Sequence, residues 1–431
     1  MKRLILKCFV IFLFVAFTFN KISAQDNLKI PNLRIYLSED SSSYAGAVFV
    51  NQIWTRYIWN NPDDQGNDMG GDFDIATRRT RAIFYTYLFD RAFMYTMLGS
   101  DGISFQLPGK PTVSLYNAET EYILVKEKFH LGFGLNTWNG ISRYNNSKLL
   151  EFLVVDNPGF AYPLGGRQDR FGRQLGIYAK GTISKLNYRV SVVKPFQYGV
   201  NEDEQINKIT ERINNNLAYK GYFFWQFLNK ENTLMPYLTM NNLGRSKILN
   251  IGAGFYYQPE AMIEKINDGY NYPDILCFAV DAFLDIPLNN GAAITSYLAY
   301  NNFDFGPNYI RSSGKINVSD ADISTALPQG IGNAEWEVGT GQIIRGEIGY
   351  LFGGHGMKNR FQPYGAFSWK NFMALDQASL QYDFGMNWLM NGHNLKWTIQ
   401  YSSRPVFKMI EDQYLWTESK GQLILQTQIY F

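Results

Sequence analysis

Apolar and polar residues alternate with a period of two along most of the chain from about residue 45 onward. In segment 380–388, for example, Leu380 and Phe384 fall on one face and Gln381 and Asp383 fall on the other. Such alternation is typical of β-strands whose two faces meet different environments. The same pattern recurs in segments 118–124, 186–192, 344–352, 395–402 and 421–431. The chain is therefore predicted to be all-β.

The connections between the predicted strands favour one all-β architecture. Short turns, such as 89–91, 229–232 and 391–394, alternate with long polar connections, such as 137–172 and 404–420. Short turns at one end and long loops at the other are characteristic of outer-membrane barrels with strands of about ten residues. We therefore predict a transmembrane antiparallel up-and-down β-barrel.

The number of strands is constrained by the way a barrel closes. The pattern gives candidate strands at about 45–59, 77–89, 92–99, 116–125, 129–136, 173–184, 186–194, 217–227, 233–242, 247–257, 275–285, 292–301, 342–352, 361–370, 378–389, 394–403 and 421–431. This set has an odd number of members, whereas bacterial single-chain barrels have an even number. The rhythm of short turns and long loops breaks between 228 and 275, which places the miscount there. Sixteen strands are preferred, and eighteen are the alternative.

The first 24 residues have the three parts of a secretory signal peptide. A basic start at Lys2 and Arg3 precedes an apolar run at 8–19, and small residues end at Ala24. We expect cleavage after Ala24, which would carry the mature chain across the inner membrane. Together with the barrel prediction, this places the protein in a bacterial outer membrane.

Composition agrees with strands that face two solvents. Aromatic residues make up 16% of the chain, yet the mean hydropathy is −0.23. Beyond the signal peptide no segment approaches the ~18 consecutive apolar residues of a membrane helix. After cleavage Cys277 is the only cysteine, so no intrachain disulfide is expected. The formal charge of +2 argues against a nucleic-acid partner. The predicted domains are a periplasmic lead-in at 25–44 and a barrel at 45–431.

A barrel of sixteen strands is wide enough to hold an aqueous channel, whereas about eight strands leave an interior that side chains fill. A solvated lumen would spare inward-facing charges the cost of burial. Rings of charge also set the selectivity of pores. The candidate pore-lining residues are Arg78, Glu119, Glu121, Lys180, Arg189, Arg345, Glu347, Asp383 and Lys396. The simpler interpretation of each residue is that it only keeps the inner wall hydrated and does not contribute to selectivity.

Three arginines stand close together in the second predicted strand. Continuing the alternation back from Ile83 and Tyr85 puts Arg79 and Arg81 on the outward face and Arg78 in the lumen. Outward arginines there suit lipopolysaccharide phosphates or a neighbouring subunit. The alternative is that these arginines only lie at a solvated end of the strand.

Four stretches resemble the Bacteroidetes outer-membrane porins related to the phosphate-selective porin O/P family. They are RRTRAIFYTYLFDRAFMY at 78–95, ETEYILVKEKFHLGFGLN at 119–136, RQLGIYAKGTISKLNYRVSVV at 173–193 and YDFGMNWLMNGHNLKWTIQY at 382–401. The resemblance covers most of residues 45–431. It implies a homotrimer of sixteen-stranded channels for ions and small solutes, with the third long loop folded inward as a constriction.

The constriction implied by this resemblance falls in residues 137–172. Its candidate residues are Arg143, Lys148, Glu151 and Asp156. Phosphate-selective members carry rows of lysine and arginine in the constriction, whereas this loop mixes both signs. Phosphate selectivity is therefore not carried over to this chain.

The last strand ends on a bare aromatic residue. In GQLILQTQIYF, at 421–431, Leu425 and Ile429 share a face expected to meet lipid, and Gln426 and Gln428 are expected to face the lumen. Ile424 breaks the pattern. The terminal Phe431 is similar to the signal that outer-membrane proteins present to the barrel-assembly machinery.

These features favour a passive porin for small hydrophilic solutes with a mixed-charge lumen. The alternative is an accessory barrel of an outer-membrane export or uptake complex, with a lumen sealed by its loops. No enzyme is predicted. His130 lies in a predicted strand, and His355 and His393, in predicted turns, lack the local serine and aspartate arrangement that acyl transfer needs. No cofactor or metal site is predicted; the Asp-rich loop 60–74 reads as a solvated hairpin, without the spacing of a calcium-binding loop.

Overall fold

The computed structural model describes residues 33–63, 65–104, 112–136, 140–170, 172–196, 209–267, 269–313, 330, 332–354 and 359–431. The strands are β1 Arg34–Tyr36, β2 Tyr44–Trp59, β3 Gly71–Leu88, β4 Ala92–Ser104, β5 Ser114–Val125, β6 Phe129–Asn136, β7 Gln174–Ile183, β8 Leu186–Lys194, β9 Ile209–Glu211, β10 Ala218–Gln226, β11 Ile248–Gln258, β12 Met262–Ile266, β13 Gly269–Asn271, β14 Ile275–Pro287, β15 Ala293–Asp304, β16 Ile310–Ser313, β17 Glu335–Gly339, β18 Gly341–Leu351, β19 Arg360–Phe372, β20 Ser379–Asn391, β21 Leu395–Ile410 and β22 Gln413–Tyr430. Two single-turn 3-10 helices, at Tyr144–Asn146 and Gly159–Ala161, lie between β6 and β7. Within these ranges, no helix is long and apolar enough to cross a membrane.

Sixteen of these strands form a closed antiparallel barrel. In order around the wall they are β2 to β8, β10, β11, β14, β15 and β18 to β22. The last strand, β22, pairs with the first, β2, from Val50↔Tyr430 to Ile58↔Gln422. This pairing removes the free edges that an open sheet would expose. The prediction of a sixteen-stranded up-and-down barrel is confirmed.

The surplus candidate strand is 233–242, inside the interval where the miscount was expected. These residues belong to a long connection between β10 and β11, so the prediction of a short turn at 229–232 is also wrong. Leu234, Leu238 and Met240 alternate as in a strand, but Pro236 has no backbone N–H to give to a ladder. The alternation here arises because one side of the segment packs inside the barrel.

The two ends of the barrel differ in their connections. One end, called the turn end, carries turns such as 89–91, 126–128 and 392–394, together with the long connection 227–247. The other, called the loop end, carries connections that contain the small sheets β9–β12–β13 and β16–β17.

The predicted loop at 404–420 is instead a regular hairpin. β21 and β22 pair continuously out to Ile410↔Gln413 and form a two-stranded ribbon at the loop end. The turn residues Glu411 and Asp412 have φ values of 49° and 62°, which matches the turn type favoured in two-residue hairpins. Polar residues on this ribbon produced the loop-like pattern.

The strand faces alternate as a membrane barrel requires. Ile251, Ile348 and Phe384, on three different strands, are 48%, 60% and 59% exposed on the outside. At the junction of the first and last strands, the Phe49 N–H donates to the Phe431 carbonyl at 2.8 Å. Further along the same edge, β1 pairs with the beginning of β2. β1 and β22 therefore occupy one edge of β2 in succession.

Candidate functional site in the barrel lumen

Connecting segments from both ends of the barrel occupy the lumen. We call residues 140–170, between β6 and β7, the inner loop, and residues 227–247, between β10 and β11, the inner turn. Phe152, Leu153 and Val154 of the inner loop are each 1% exposed, and they belong to one apolar cluster with Met240 of the inner turn. The cluster also contains inward side chains of β14, β15 and β19, among them Phe283. The interior of the barrel therefore has a packed core.

Polar side chains of β20, β21 and β22 hold the inner loop by its backbone. The bonds are Gln428 Nε2 to the Leu150 carbonyl at 3.1 Å, Lys396 Nζ to the Phe152 carbonyl at 3.1 Å, Asn387 Nδ2 to the Leu153 carbonyl at 2.8 Å, and the Val155 N–H to Gln400 Oε1 at 2.9 Å. Buried backbone groups need such partners wherever they have no ladder of their own. The inward polar positions of these strands thus serve as hydrogen-bond partners for the inner loop.

Three predicted pore-lining residues meet beneath the inner loop. Arg345 contacts Glu347 at 2.8 Å and Asp383 at 3.1 Å. The Tyr144 hydroxyl of the inner loop donates to Glu347. All four side chains are buried.

The inner turn is held by charged residues on the opposite part of the wall. Lys180 pairs with Glu121 at 2.8 Å and donates to the Leu234 carbonyl at 2.6 Å. Arg189 donates to the Pro236 carbonyl at 2.8 Å. Predicted pore-lining charges therefore bind backbone oxygens of the inner turn.

His130 and the predicted pore-lining residue Glu119 lie beside this group. His130 Nδ1 lies 2.6 Å from Glu121, so that histidine belongs to the same buried cluster. Glu119 accepts from Asn117 Nδ2 at 3.1 Å.

The inner loop and the inner turn are also joined directly. The Arg143 guanidinium binds both oxygens of Glu231, at 2.9 and 2.6 Å, and the Thr239 carbonyl, at 2.9 and 2.7 Å. It lies 3.8 Å from the ring centroid of Phe283. Backbone bonds of 2.8 Å join Leu238 to Asn146 and to Lys148. Arg143 and this backbone pairing make the two segments one unit.

The candidate constriction residues Lys148 and Glu151 form an ion pair within the inner loop. Burial alone would raise the pKa of Glu151, but the Lys148 ammonium outweighs it and lowers that pKa to about 2. The carboxylate is therefore ionised at neutral pH.

The prediction that inward charges stay solvated is wrong for the described residues. Apart from Arg78, each predicted pore-lining side chain is at most 5% exposed. The protein groups of the inner loop and the inner turn take the place of water around these charges, as buried ions require. Sequence alternation identified which residues point inward but not what they would meet there.

The prediction for Arg79 and Arg81 is also wrong. β2 pairs Gln52 with Arg79 but Ile53 with Thr77, so Arg78 is an extra residue, a β-bulge. From Arg79 onward the pairing is regular, so Arg79 and Arg81 share the face of Ile83 and Tyr85. That face points inward, and the two arginines are 3% and 4% exposed. Arg78 and Arg79 both contact Asp156 of the inner loop, at 2.7 and 2.6 Å.

A cavity of about 380 Å³ remains between the inner segments and the wall formed by β2, β3 and β4. Arg79 and Arg81 line it beside apolar residues such as Val50, Ile83 and Met97. Ile83 and Tyr85, expected on the outward face, line this cavity instead. The inner wall is apolar here, and sequence patterns cannot distinguish an apolar inner wall from a lipid-facing one.

The terminal strand follows its predicted faces. Gln426 and Gln428 are buried, Ile429 and Phe431 are half exposed, and Ile424 packs inside against Trp54 and Val155. Of the remaining histidines, His393 bonds to the Asn241 carbonyl of the inner turn at 2.7 Å, and His355 lies outside the described residues.

Sequence reasoning missed two carboxylates on β14 that fix both inner segments. Asp281 accepts the Arg143 N–H at 2.7 Å, and Asp285 accepts the Asn242 and Gly244 N–H groups at 2.9 and 2.8 Å. Both residues occupy the inward register of an otherwise apolar strand. The sequence signal that could have identified them is the pair of aspartates four positions apart, which places both on the same face of the strand.

The fold is shared with structurally characterised porins. OprB of Pseudomonas putida is 9% identical, with a TM-score of 0.53 over 91% of this chain and 95% of that one. The anion-selective porin of Comamonas acidovorans is 10% identical, with a TM-score of 0.50 over 90% of this chain and 100% of that one. No protein-family model matches the sequence, and no curated protein matches it.

Proposed function

We propose that this protein is an outer-membrane porin that passes ions and small hydrophilic solutes passively through a narrowed lumen. The observation that carries the proposal is the closed sixteen-stranded wall with apolar residues outside and polar residues inside. Such a wall satisfies every backbone group in lipid without an exposed edge. The fold shared with two porins supports this function.

The proposed path follows β2, β3 and β4, where the cavity of about 380 Å³ lies. The inner loop and the inner turn fill the space against β14, β15 and β18 to β22. We therefore expect a conductance well below that of an unobstructed sixteen-stranded barrel. Charges of both signs along this path would orient polar solutes.

The remaining assignments follow from the same proposal. Residues 1–24 direct export and are cleaved, 25–44 lie in the periplasm, and the barrel is inserted by the barrel-assembly machinery in contact with lipopolysaccharide. A homotrimer is the proposed assembly. Phe431 is the proposed assembly signal.

Planar-bilayer recording of the purified mature chain tests the channel. Deletion of residues 140–165 should raise the single-channel conductance severalfold while the barrel still assembles, because the deletion empties the space across β20 to β22. Arg167→Gln is the control. Arg167 lies in the same loop, but its ion pair with Glu211 is long, at 4.0 Å, and it takes no part in the described contacts between the inner loop and β20 to β22. An unchanged conductance after the deletion would place the inner loop outside the conducting path.

The packed interior favours one other function. A lumen this full suits an accessory barrel of an outer-membrane export or uptake complex, used for docking. That function predicts no conductance steps from the intact chain and stoichiometric co-purification with a second protein. Stable steps from the purified chain would exclude it.

A further inference from the structure

We propose that the cavity between the inner segments and β2 to β4 binds an amphipathic organic anion, and that its anionic group takes the place of Asp156 on Arg79. The inference deepens the proposed function, because it names the class of solute for which the narrowed path is built. Three features of the cavity carry it: an arginine whose present anion is supplied by the inner loop, an apolar side wall, and an exposed lysine in the lining.

One arginine of the cavity lining already binds a carboxylate. Arg79 NH2 lies 2.6 Å from Asp156 Oδ1, and Arg78 Nε lies 2.7 Å from Asp156 Oδ2. Arg79 NH1 is oriented by Gln52 Oε1 at 3.0 Å. Two guanidinium groups on one carboxylate make a strong, directional anion site. The chain itself therefore demonstrates the geometry that a solute carboxylate would adopt.

The neighbouring arginine of the cavity is bound differently. Arg81 donates to both oxygens of Asp101, at 2.7 and 2.6 Å, and lies 3.8 Å from the ring centroid of Tyr116. Asp101 and Tyr116 belong to the adjacent strands β4 and β5, so this pair is part of the rigid wall. Asp156 belongs to the inner loop. Arg79 can therefore exchange its anion when the loop shifts, and Arg81 keeps its own.

The side wall suits an apolar body. The residues along it are Val50, Ile83, Met97, Leu150, Leu238 and Ile248. Tyr95 and Tyr237 meet edge to face there, with ring centroids 5.9 Å apart. The volume of about 380 Å³ lies in the range of small-molecule pockets, roughly 300–1,000 Å³. A small inorganic anion would leave this lining uncovered, so the cavity favours an anion with an aromatic or aliphatic body.

Residues of the inner turn form one side of the cavity. Lys230, Asn232 and Met235 belong to this lining and are exposed, Met235 to 37%. The inner turn enters from the turn end, so the ligand would reach Arg79 from that side. An exposed lysine in the lining would attract anions into the cavity.

Isothermal titration of the full mature chain in detergent tests the site with three probes: 4-phenylbutyrate, its neutral amide 4-phenylbutyramide, and acetate. We expect 4-phenylbutyrate to bind at least about tenfold more tightly than either of the others, because only it offers both a charge and an apolar body. Arg79→Gln should weaken it by about tenfold or more, and Asp156→Asn should strengthen it by a few fold by removing the internal competitor. Arg167→Gln should leave the affinity unchanged.

Equal binding of acetate and 4-phenylbutyrate would overturn the inference, and so would unchanged binding by Arg79→Gln. If Arg79→Gln does not fold, Met235→Trp keeps the inference testable, because an indole at this half-exposed lining position should fill part of the cavity and exclude the probe. Undiminished binding to a folded Met235→Trp chain would contradict the site. Bilayer recordings separate the two proposals: conductance without binding of 4-phenylbutyrate refutes only the binding site, and binding without conductance refutes only the channel.

Discussion

Replacing Arg143 by methionine should release the inner turn from the inner loop while leaving the barrel intact. The substitution removes the two bonds to Glu231 and the two to the Thr239 carbonyl, and leaves the Glu231 carboxylate without its guanidinium. The backbone bond from the Arg143 N–H to Asp281 survives, because it needs no side chain. The perturbation is therefore confined to the contact between the two inner segments.

The magnitude follows from the burial of the pair. Arg143 is fully buried and the Glu231 side chain is 9% exposed. Removing one partner of a buried ion pair costs about 3–5 kcal/mol. Since about 1.4 kcal/mol corresponds to a factor of ten, the ratio of displaced to docked inner turn should rise roughly a hundredfold to several thousandfold.

Hydrogen exchange measures this ratio directly. The Leu238 N–H, which donates to the Asn146 carbonyl, and the Lys148 N–H, which donates to the Leu238 carbonyl, report docking. Their protection should fall by the same factor, whereas amides paired between β14 and β15 should keep theirs. The double variant Arg143→Met with Glu231→Met should lose less protection than the single one, because no unpaired charge remains.

Arg167→Met is the matched control, since its side chain is 26% exposed and its nearest carboxylate is 4.0 Å away. Unchanged protection of Leu238 and Lys148 in the Arg143→Met chain would refute the reasoning. It would mean that the apolar cluster alone holds the inner segments together.

Three further predictions concern pH, assembly and the outer face. Burial lowers the pKa of His393 to about 3. Below pH ~6.5 the state with the inner turn displaced therefore binds a proton that the docked state does not. Docking of the Asn241 carbonyl on His393 should weaken on acidification by up to about 1.4 kcal/mol per pH unit. Protease cleavage within 227–247 should increase accordingly at low pH, and His393→Gln should flatten the dependence. Deleting Phe431 removes a ring whose centroid lies 5.8 Å from that of Phe49. Less inserted protein, with normal conductance of the inserted fraction, would support a role of Phe431 in assembly. Normal insertion would refute that role. Leu425→Arg puts a charge near the middle of the lipid-facing side of β22 and should lower the free energy of unfolding by about 2–4 kcal/mol in refolding titrations; a change below about 1 kcal/mol would argue against that placement.

The wall of the barrel could be predicted from sequence because strand alternation is a local property. Each wall strand has its own pattern. The parity rule showed that the count was wrong, and the break in the rhythm of short turns and long loops located the error. The inner turn was wrongly predicted as a strand. Leu234, Leu238 and Met240 repeat every second or fourth residue because one side of this segment packs inside the barrel, not because it pairs with another strand.

The lumen could be predicted only in part, because its contacts join residues far apart in the chain. Arg143 and Glu231 are 88 positions apart, and Arg79 and Asp156 are 77 apart. The bulge at Arg78 is equally hidden, since an extra residue in one strand is defined by its partner. Phe152 to Val155 read as an apolar stretch in a polar loop, and only the folded barrel shows what covers it.

The opposite origins of the two inner segments have a mechanical consequence. The inner loop comes from the loop end and the inner turn from the turn end, and they meet where Ser147 pairs with Leu238. Because the two segments are bonded to each other, a force along the barrel axis from either end would load the bonds to the partner segment. The pair would therefore resist displacement from both ends, while the proposed path along β2, β3 and β4 lies beside it.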